Sequence, residues 1–203
     1  MLRYTLGLAF TVIVVMSSSA WAGIATVEDA MAEKSIGRAD APVTIIEYAS
    51  LTCSHCAAFH TDTLPLIKKN YIDTGKVRLV YNDFPLGSLA MAGAMVARCS
   101  GEKNFFPMIN ALFASQETWA ASDAPLEALA GIARLIGMSE DDVADCIDDK
   151  NIFDAIKNRA DQAGNDLGIR STPTFFIEGT KVPGNLPYAD FQKILDKALA
   201  KKQ

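Results

Sequence analysis

Two apolar segments with a long amphipathic segment between them dominate the first part of the chain. Residues 43–48 and 77–81 are rich in β-branched and aromatic side chains, which favour buried strands. Residues 53–71 repeat apolar positions at helical spacing, and Pro65 is expected to kink this helix near Leu64. A strand, a helix and a strand of these lengths predict a βαβ unit with parallel strands and a right-handed crossover.

The pattern then changes to helices alone. Apolar spacing, or a capping sequence beginning at Ser139, predicts helices over residues 89–99, 105–113, 126–136, 140 onward and 151–167. We therefore predict an inserted helical domain over residues 85–168. The chain returns to strands at residues 174–177 and 180–182, which flank the turn residues Glu178 and Gly179, and residues 188–200 form an amphipathic closing helix.

The first 22 residues have the pattern of a secretory signal peptide. Arg3 is the only charge before Glu28, residues 6–16 are apolar, and a small-x-small pattern ends at Ala22. We predict cleavage after about Ala22 and export to the periplasm. An uncleaved membrane anchor is the alternative, although the apolar run is short for a membrane span. Residues 23–36 are predicted to be a short, polar, helix-permissive lead-in.

Composition and charge narrow the functional class. Half of the 203 residues are hydrophobic, and 19 basic against 24 acidic side chains give a net charge of −5. An acidic chain of this kind argues against nucleic acid or an anionic membrane surface as a partner. Export would place the four cysteines in an oxidising compartment, where two disulfide pairs fit the count.

Cys53 and Cys56 stand three residues apart, where the first predicted strand gives way to the helix. The first turn of a helix carries unpaired N–H groups and the positive end of the helix dipole, which favour a thiolate over a thiol. Cys53 is therefore predicted to be the nucleophile. Cys56, one turn further on, can attack a mixed disulfide formed at Cys53.

Other interpretations of the two cysteines explain less of the sequence. A zinc or copper site would need further ligands besides Cys53 and Cys56. The remaining cysteines and histidines of the chain are His55, His60, Cys99 and Cys146, and they do not form a second CxxC ligand pair. Covalent haem needs a histidine directly after the second cysteine, where this chain has Ala57. A purely structural disulfide, or two unrelated buried cysteines, stays open as an alternative.

The chain resembles the DsbA-like family, the exported bacterial thiol:disulfide oxidoreductases with a thioredoxin fold. The resemblance rests on VTIIEY at 43–48, CSHCAAFH at 53–60, DFPL at 83–86, ARC at 97–99 and STPTFF at 171–176. It covers essentially the whole mature chain. It implies an α/β, thioredoxin-like domain made of residues 23–84 and 169–203, with the helical domain inserted between them.

The resemblance also implies roles for the residues of the motif. Cys53 would be the exposed nucleophile and Cys56 the resolving cysteine. His55 would donate to the Cys53 thiolate and so make the disulfide more oxidising. Ser54, in a substrate-contacting position, departs from the proline of better-known members, so the oxidising strength is not fixed by the resemblance.

Further roles follow for residues outside the motif. Thr172 and Pro173 match the loop that faces the CxxC, where the peptide bond is cis and the residue before proline pairs its backbone with a substrate. Glu47 matches a buried acid that can take a proton from Cys56 or return it. His60 is expected to be a helix-surface or packing residue. The remaining two cysteines, Cys99 and Cys146, are expected to form a structural disulfide that closes a long loop.

We therefore predict an exported thiol oxidase that passes its Cys53–Cys56 disulfide to newly exported proteins with free thiols. We expect it to act as a monomer, without cofactor or metal, and to be reoxidised by a membrane redox partner. An isomerase or reductase is the first alternative, and Thr172, which also occurs in such relatives, does not decide between them. A non-catalytic module that binds a metal or an unfolded peptide through the CxxC face is the alternative from another class.

Overall fold

A computed structural model of the protein describes residues 24–202; the predicted signal peptide and most of its cleavage region lie outside this range. The strands of the described chain form one sheet in the order β1-β3-β2-β4-β5, and they are β1 (Lys34–Ile36), β2 (Val43–Ala49), β3 (Val77–Asp83), β4 (Thr174–Ile177) and β5 (Thr180–Pro183). β2 runs parallel to β3 and antiparallel to β4, so the βαβ unit and the closing hairpin share the central strand β2.

Helices surround this sheet, and six of them follow one another between β3 and β4. The helices are α1 (Val27–Met31), α2 (Ser54–Ala58), α3 (Leu64–Ile67), α4 (Ser88–Cys99), α5 (Glu102–Ala114), α6 (Gln116–Trp119), α7 (Pro125–Leu135), α8 (Glu140–Asp148), α9 (Lys150–Asp166) and α10 (Tyr188–Ala200). The predicted start of α8 is confirmed, because Ser139 and Asp142 form a reciprocal capping box. None of the helices within residues 24–202 is long and apolar enough to cross a membrane.

The edge strand β1 was not predicted. Residues 23–36 were expected to be a helix-permissive lead-in, and only α1, capped by Thr26, fits that expectation. The next residues pair antiparallel with β3, Lys34 opposite Tyr81 and Ile36 opposite Leu79. Pairing with an exposed sheet edge decides the conformation of so short a segment, because its own propensity is weak.

The helix that follows the CxxC is widened ahead of its proline. A π-helical segment, Phe59–Thr63, lies between α2 and α3, and Pro65 sits in the first turn of α3. Proline has no N–H to donate to the preceding turn, and its ring clashes with a carbonyl of that turn. A π-helical turn is wider than an α-helical one, so it accommodates both the missing hydrogen bond and the ring. The widened turn also buries two consecutive side chains, Phe59 and His60.

Two hydrophobic clusters cover the two faces of the sheet, and the CxxC helix lies where they meet. One cluster joins the sheet to α4, α5 and α7–α9 and includes Cys56 and Tyr81. The other joins the sheet to α3 and α10 and includes Phe59, whose ring lies 4.6 Å from that of Phe175 and 5.5 Å from that of Phe191. The helix is therefore held from both sides, with Cys56 and Phe59 facing the core and Ser54 and His55 of its first turn exposed.

Buried bonds join the helices between β3 and β4 to one another and to the sheet. Cys99 of α4 and Cys146 of α8 are joined in a disulfide, and both are buried. Beside it, Arg98 donates from Nε to Asp83 Oδ2 at 2.5 Å and from Nη1 to the carbonyl of Ala30 at 2.7 Å. Arg98 therefore connects α4 to the end of β3 and to α1 in the interior of the protein.

Candidate active site

The loop that follows β2 presents Cys53 at the very start of α2. Cys53 is the N-cap residue of this helix, with an extended backbone (φ −89°, ψ 117°). The helical block braces the loop, since Gln116 donates from Nε2 to the carbonyls of Leu51 at 2.8 Å and Cys53 at 3.0 Å. Gln116 was not predicted from the sequence, because no local sequence pattern indicates that a side chain of a distant helix will bind the carbonyls of the CxxC loop.

The loop before β4 closes over the same sulfur. The Thr172–Pro173 peptide bond is cis, and the Cys53 thiol lies 3.2 Å from the carbonyl oxygen of Thr172, to which it donates. The Thr172 hydroxyl is buried and has no hydrogen-bond partner among residues 24–202. It is therefore free to donate to the sulfur once Cys53 has ionised.

The two thiols of the motif have opposite acidities. A hydrogen bond from the Cys56 thiol, together with donors from Thr172 and from the backbone N–H groups of Cys56 and His55, lowers the pKa of Cys53 to about 5, against the opposing effect of partial burial. Burial raises the pKa of Cys56 well above its usual value, and the hydrogen bond to Cys53 and the charge of Glu47 add to this. At neutral pH the reduced pair therefore holds one thiolate, on the more accessible sulfur.

His55 and Ser54 lie on the exposed side of α2. The His55 ring makes no hydrogen bond or ion pair within the described structure, although its backbone N–H faces the Cys53 sulfur. The donation from its ring to the thiolate stays a prediction. Ser54 lines a surface pocket between α2 and the α5–α6 corner, together with Asp62 and Glu117.

Glu47 and His60 form a buried pair behind the motif. Both carboxylate oxygens of Glu47 lie within hydrogen-bond distance of His60 Nε2, at 3.1 and 3.2 Å, and both side chains are 1% exposed or less. His60 was expected to be a helix-surface or packing residue. It does pack, stacked on Phe113 with ring centroids 4.2 Å apart, but it does not lie on the surface.

No group of three or more histidine, cysteine, aspartate or glutamate side chains could hold a metal ion within the described part of the chain. The chemistry available at this site is that of two thiols, a buried carboxylate and the loop backbone.

Comparison with known proteins agrees with this geometry. A family model described as thioredoxin matches residues 29–197. The crystal structure of alpha-DsbA1 from Wolbachia pipientis matches with a TM-score of 0.79 and 36% sequence identity, covering 85% of this chain and 93% of that one. The chain belongs to the DsbA-like thioredoxin family.

Other relatives of this DsbA-like protein are longer or more distant. A Rickettsia felis protein with the provisional name protein-disulfide oxidoreductase is 31% identical over 169 residues, which cover 83% of this chain and 60% of that protein. The chain thus spans about 60% of the length of the Rickettsia relatives it matches. BdbD from Bacillus subtilis shares the fold at 19% identity, with a TM-score of 0.75 over 88% of this chain and 97% of that one.

The acidity of Cys53 gives a testable pH dependence for the DsbA-like protein. The folded-state pKa, about 5, lies below the ordinary value of 9.0. The thiolate therefore stabilises the reduced, folded protein fully above pH 9, and this stabilisation is lost as the pH falls through about 5. We expect the thiolate absorbance of the reduced protein to show a midpoint near pH 5.

Two variants check the assignment of that midpoint. Cys53→Ser should remove the transition altogether. Cys56→Ala should move it to higher pH, because the hydrogen bond from the Cys56 thiol is the largest contribution to the low pKa of Cys53. A midpoint that stays in place in both variants would assign the transition to another group.

Proposed function

We propose that this DsbA-like protein is an exported thiol:disulfide oxidoreductase that acts as a thiol oxidase, donating its Cys53–Cys56 disulfide to newly exported proteins with free thiols. The observation that carries the proposal is the contrast between the two thiols, with the pKa of Cys53 lowered to about 5 and that of Cys56 raised. In such a pair Cys53 is the sulfur that a substrate attacks and that later acts as the leaving group, while Cys56 stays a protonated thiol in the reduced protein.

The reaction transfers two electrons from a substrate dithiol to the enzyme. A substrate thiolate attacks Cys53 Sγ, the Cys53–Cys56 bond breaks, and Cys56 leaves as a thiolate that takes up a proton. A second substrate thiolate then attacks the substrate sulfur of the mixed disulfide. Cys53 leaves as a thiolate, and the substrate now carries a disulfide.

The surroundings of Cys53 support the oxidising direction. Groups that stabilise its thiolate stabilise the reduced enzyme and make Cys53 a good leaving group, so the enzyme disulfide is easily reduced and its donation to substrates is downhill. The loop of Thr172 and Pro173, facing the sulfur, offers backbone groups to pair with a bound substrate. Reoxidation would need an external disulfide donor, which we propose to be a membrane redox partner.

The test is to equilibrate the Cys53–Cys56 pair with glutathione buffers of graded redox potential. The free thiols are then alkylated, and the reduced fraction is measured by mass spectrometry. The experiment uses the mature protein with the Cys99–Cys146 disulfide in place. We expect the pair to be reduced already in weakly reducing buffers. Cys56→Ala serves as the control, since it keeps Cys53 but cannot form the internal disulfide.

The other outcomes separate the alternatives. A pair that stays oxidised until the buffer is strongly reducing would favour a reductase or an isomerase, because the dithiol would then be the better donor of electrons. A pair that does not exchange with glutathione at all would overturn the oxidoreductase proposal and favour a binding module.

A further inference from the structure

The buried pair of Glu47 and His60 contains a group that the exchange reaction leaves unexplained. The imidazole lies among aromatic rings, stacked on Phe113 and with Phe59 and Tyr81 edge-on at 5.5 and 6.0 Å between ring centroids. Its Nε2 faces the Glu47 carboxylate, and its Nδ1 is buried without a hydrogen-bond partner in the part of the chain that the structure describes. Packing alone would be served better by an apolar ring, because a buried polar nitrogen without a partner costs free energy.

The contacts of the ring indicate which proton it carries. Nε2 faces only acceptor oxygens, at 3.1 and 3.2 Å, so it carries a hydrogen and donates to the carboxylate. Nδ1 has no acceptor in reach among the described residues, and a hydrogen placed there would be buried and unpaired. A ring with hydrogen on Nε2 therefore fits the site, and its hydrogen bond fixes the orientation of the Glu47 carboxylate.

Cys56 needs a proton acceptor that is itself buried. Its thiol is fully buried, and the charge of Glu47 acts on it directly, which is one cause of its raised pKa. Ionising Cys56 beside a charged Glu47 would place two negative charges in the core, whereas passing the proton from one to the other keeps the buried charge constant. The transfer works only if the Glu47 carboxylate is held in place before the reaction.

We propose that His60 is a positioning residue that holds the Glu47 carboxylate in one orientation, so that it takes the proton of Cys56 when Cys56 attacks and returns it when Cys56 leaves. The inference rests on the proposed oxidoreductase function. During reoxidation the Cys56 S–H bond breaks, the proton goes to a Glu47 oxygen, and the sulfur attacks Cys53 Sγ. The bond between Cys53 and the partner sulfur breaks, and the partner leaves with the electron pair.

Other titratable groups near the pair do not replace it. Tyr81, opposite Glu47 on β3, is fully buried and its pKa is raised by burial and by the charges of Asp83 and Glu47, so it stays protonated. Asp83 is paired with Arg98. The rings packed on the pair from α5 and β4 are phenylalanines and bring no charge.

The test uses the full mature protein and an aromatic disulfide whose thiol product is coloured. The reduced protein releases one coloured thiol when Cys53 attacks and a second when Cys56 resolves the mixed disulfide, so stopped-flow absorbance follows both steps. His60→Phe keeps an aromatic ring stacked on Phe113 but removes the hydrogen-bond donor to Glu47. We expect this variant to slow the second release by roughly tenfold at mildly acidic to neutral pH, which is part of the rate acceleration that general acid–base catalysis commonly gives. The pH profile of the second release should also change shape, while the first release keeps the rate of the unmodified protein.

His60→Gln is the conservative variant, because its amide can place an N–H near the position of Nε2 without titrating. We expect it to restore the second release to within roughly threefold of the unmodified protein, since the donor to Glu47 is retained. An unchanged second release in His60→Phe, or equal slowing of both releases in both variants, would overturn the proposal and leave His60 a packing residue. Failure of the proposed function would look different, because the unmodified protein would then release no second thiol.

Discussion

Replacing Cys53 by serine is expected to abolish thiol–disulfide exchange and to leave the fold unchanged. Cys53 lies at the surface end of α2, partly exposed and at the margin of the core cluster that contains Cys56, and serine is nearly the size of cysteine, so little packing is lost. The thiol that remains, Cys56, is buried with a raised pKa and is protonated at neutral pH. We expect the rate of exchange with a dithiol peptide to fall by at least roughly a thousandfold, since thiolate is the reacting species.

Cys56→Ser is the matched variant and should fail in a different way. Cys53 keeps its exposure and its contact with Thr172, so the first attack still occurs, but nothing resolves the mixed disulfide. We expect a stable adduct, visible by mass as one substrate molecule per protein and released by a strong reductant. Catalytic turnover in Cys53→Ser, or no adduct in Cys56→Ser, would contradict the assignment of nucleophile and resolving cysteine.

Replacing Arg98 by alanine is expected to lower the free energy of unfolding by about 3–5 kcal/mol, the usual cost of removing one partner of a buried ion pair. The side chains of Arg98 and Asp83 are 2% and 5% exposed, and Asp83 would be left charged without its partner. The variant also loses the bond to the carbonyl of Ala30 and the contact with the Phe105 ring, 5.6 Å from the guanidinium. Urea unfolding followed by far-ultraviolet circular dichroism measures the change, with the Cys99–Cys146 disulfide oxidised in both proteins.

The control for this measurement is an arginine–aspartate pair that is exposed to water. Arg38 binds Asp40 through two hydrogen bonds, at 2.9 and 2.7 Å, but the two side chains are 69% and 70% exposed. Arg38→Ala should therefore leave the unfolding midpoint nearly unchanged, because solvent screens an exposed pair. Equal effects of the two substitutions would mean that burial is not what gives the Arg98 pair its contribution to stability.

Sequence patterns predicted the regular elements because those elements depend on local chemistry. The β-branched runs at 43–48 and 77–81 became β2 and β3, and the closing helix over residues 188–200 has the predicted bounds. The turn at Glu178 and Gly179 has positive φ at both residues, as a two-residue hairpin of this kind requires. The position of Cys53 at a helix start follows from the same local reasoning.

The features that were missed depend on distant contacts. The strand β1 forms because it pairs with the edge of β3. Arg98 and Asp83 are 15 residues apart in the sequence, and no periodic pattern predicts an ion pair between a helix and the end of a strand. His60 was expected to lie on the helix surface or to pack, and only the folded chain shows that it is buried against Phe113 and Glu47. Its partner Glu47 was expected to be buried, but the hydrogen bond between them needed the folded chain.

The two edge strands limit the surface on which an unfolded chain could pair with the sheet. Unfolded chains add readily to long, flat sheet edges, which is how aggregates grow. Here one edge is a strand of three residues, and the other, β5, exposes Lys181 and Pro183, a charge and a residue without a backbone donor. An unfolded chain is thereby offered the loop beside the Cys53 sulfur and few other backbone groups to pair with, which favours its release after thiol–disulfide exchange.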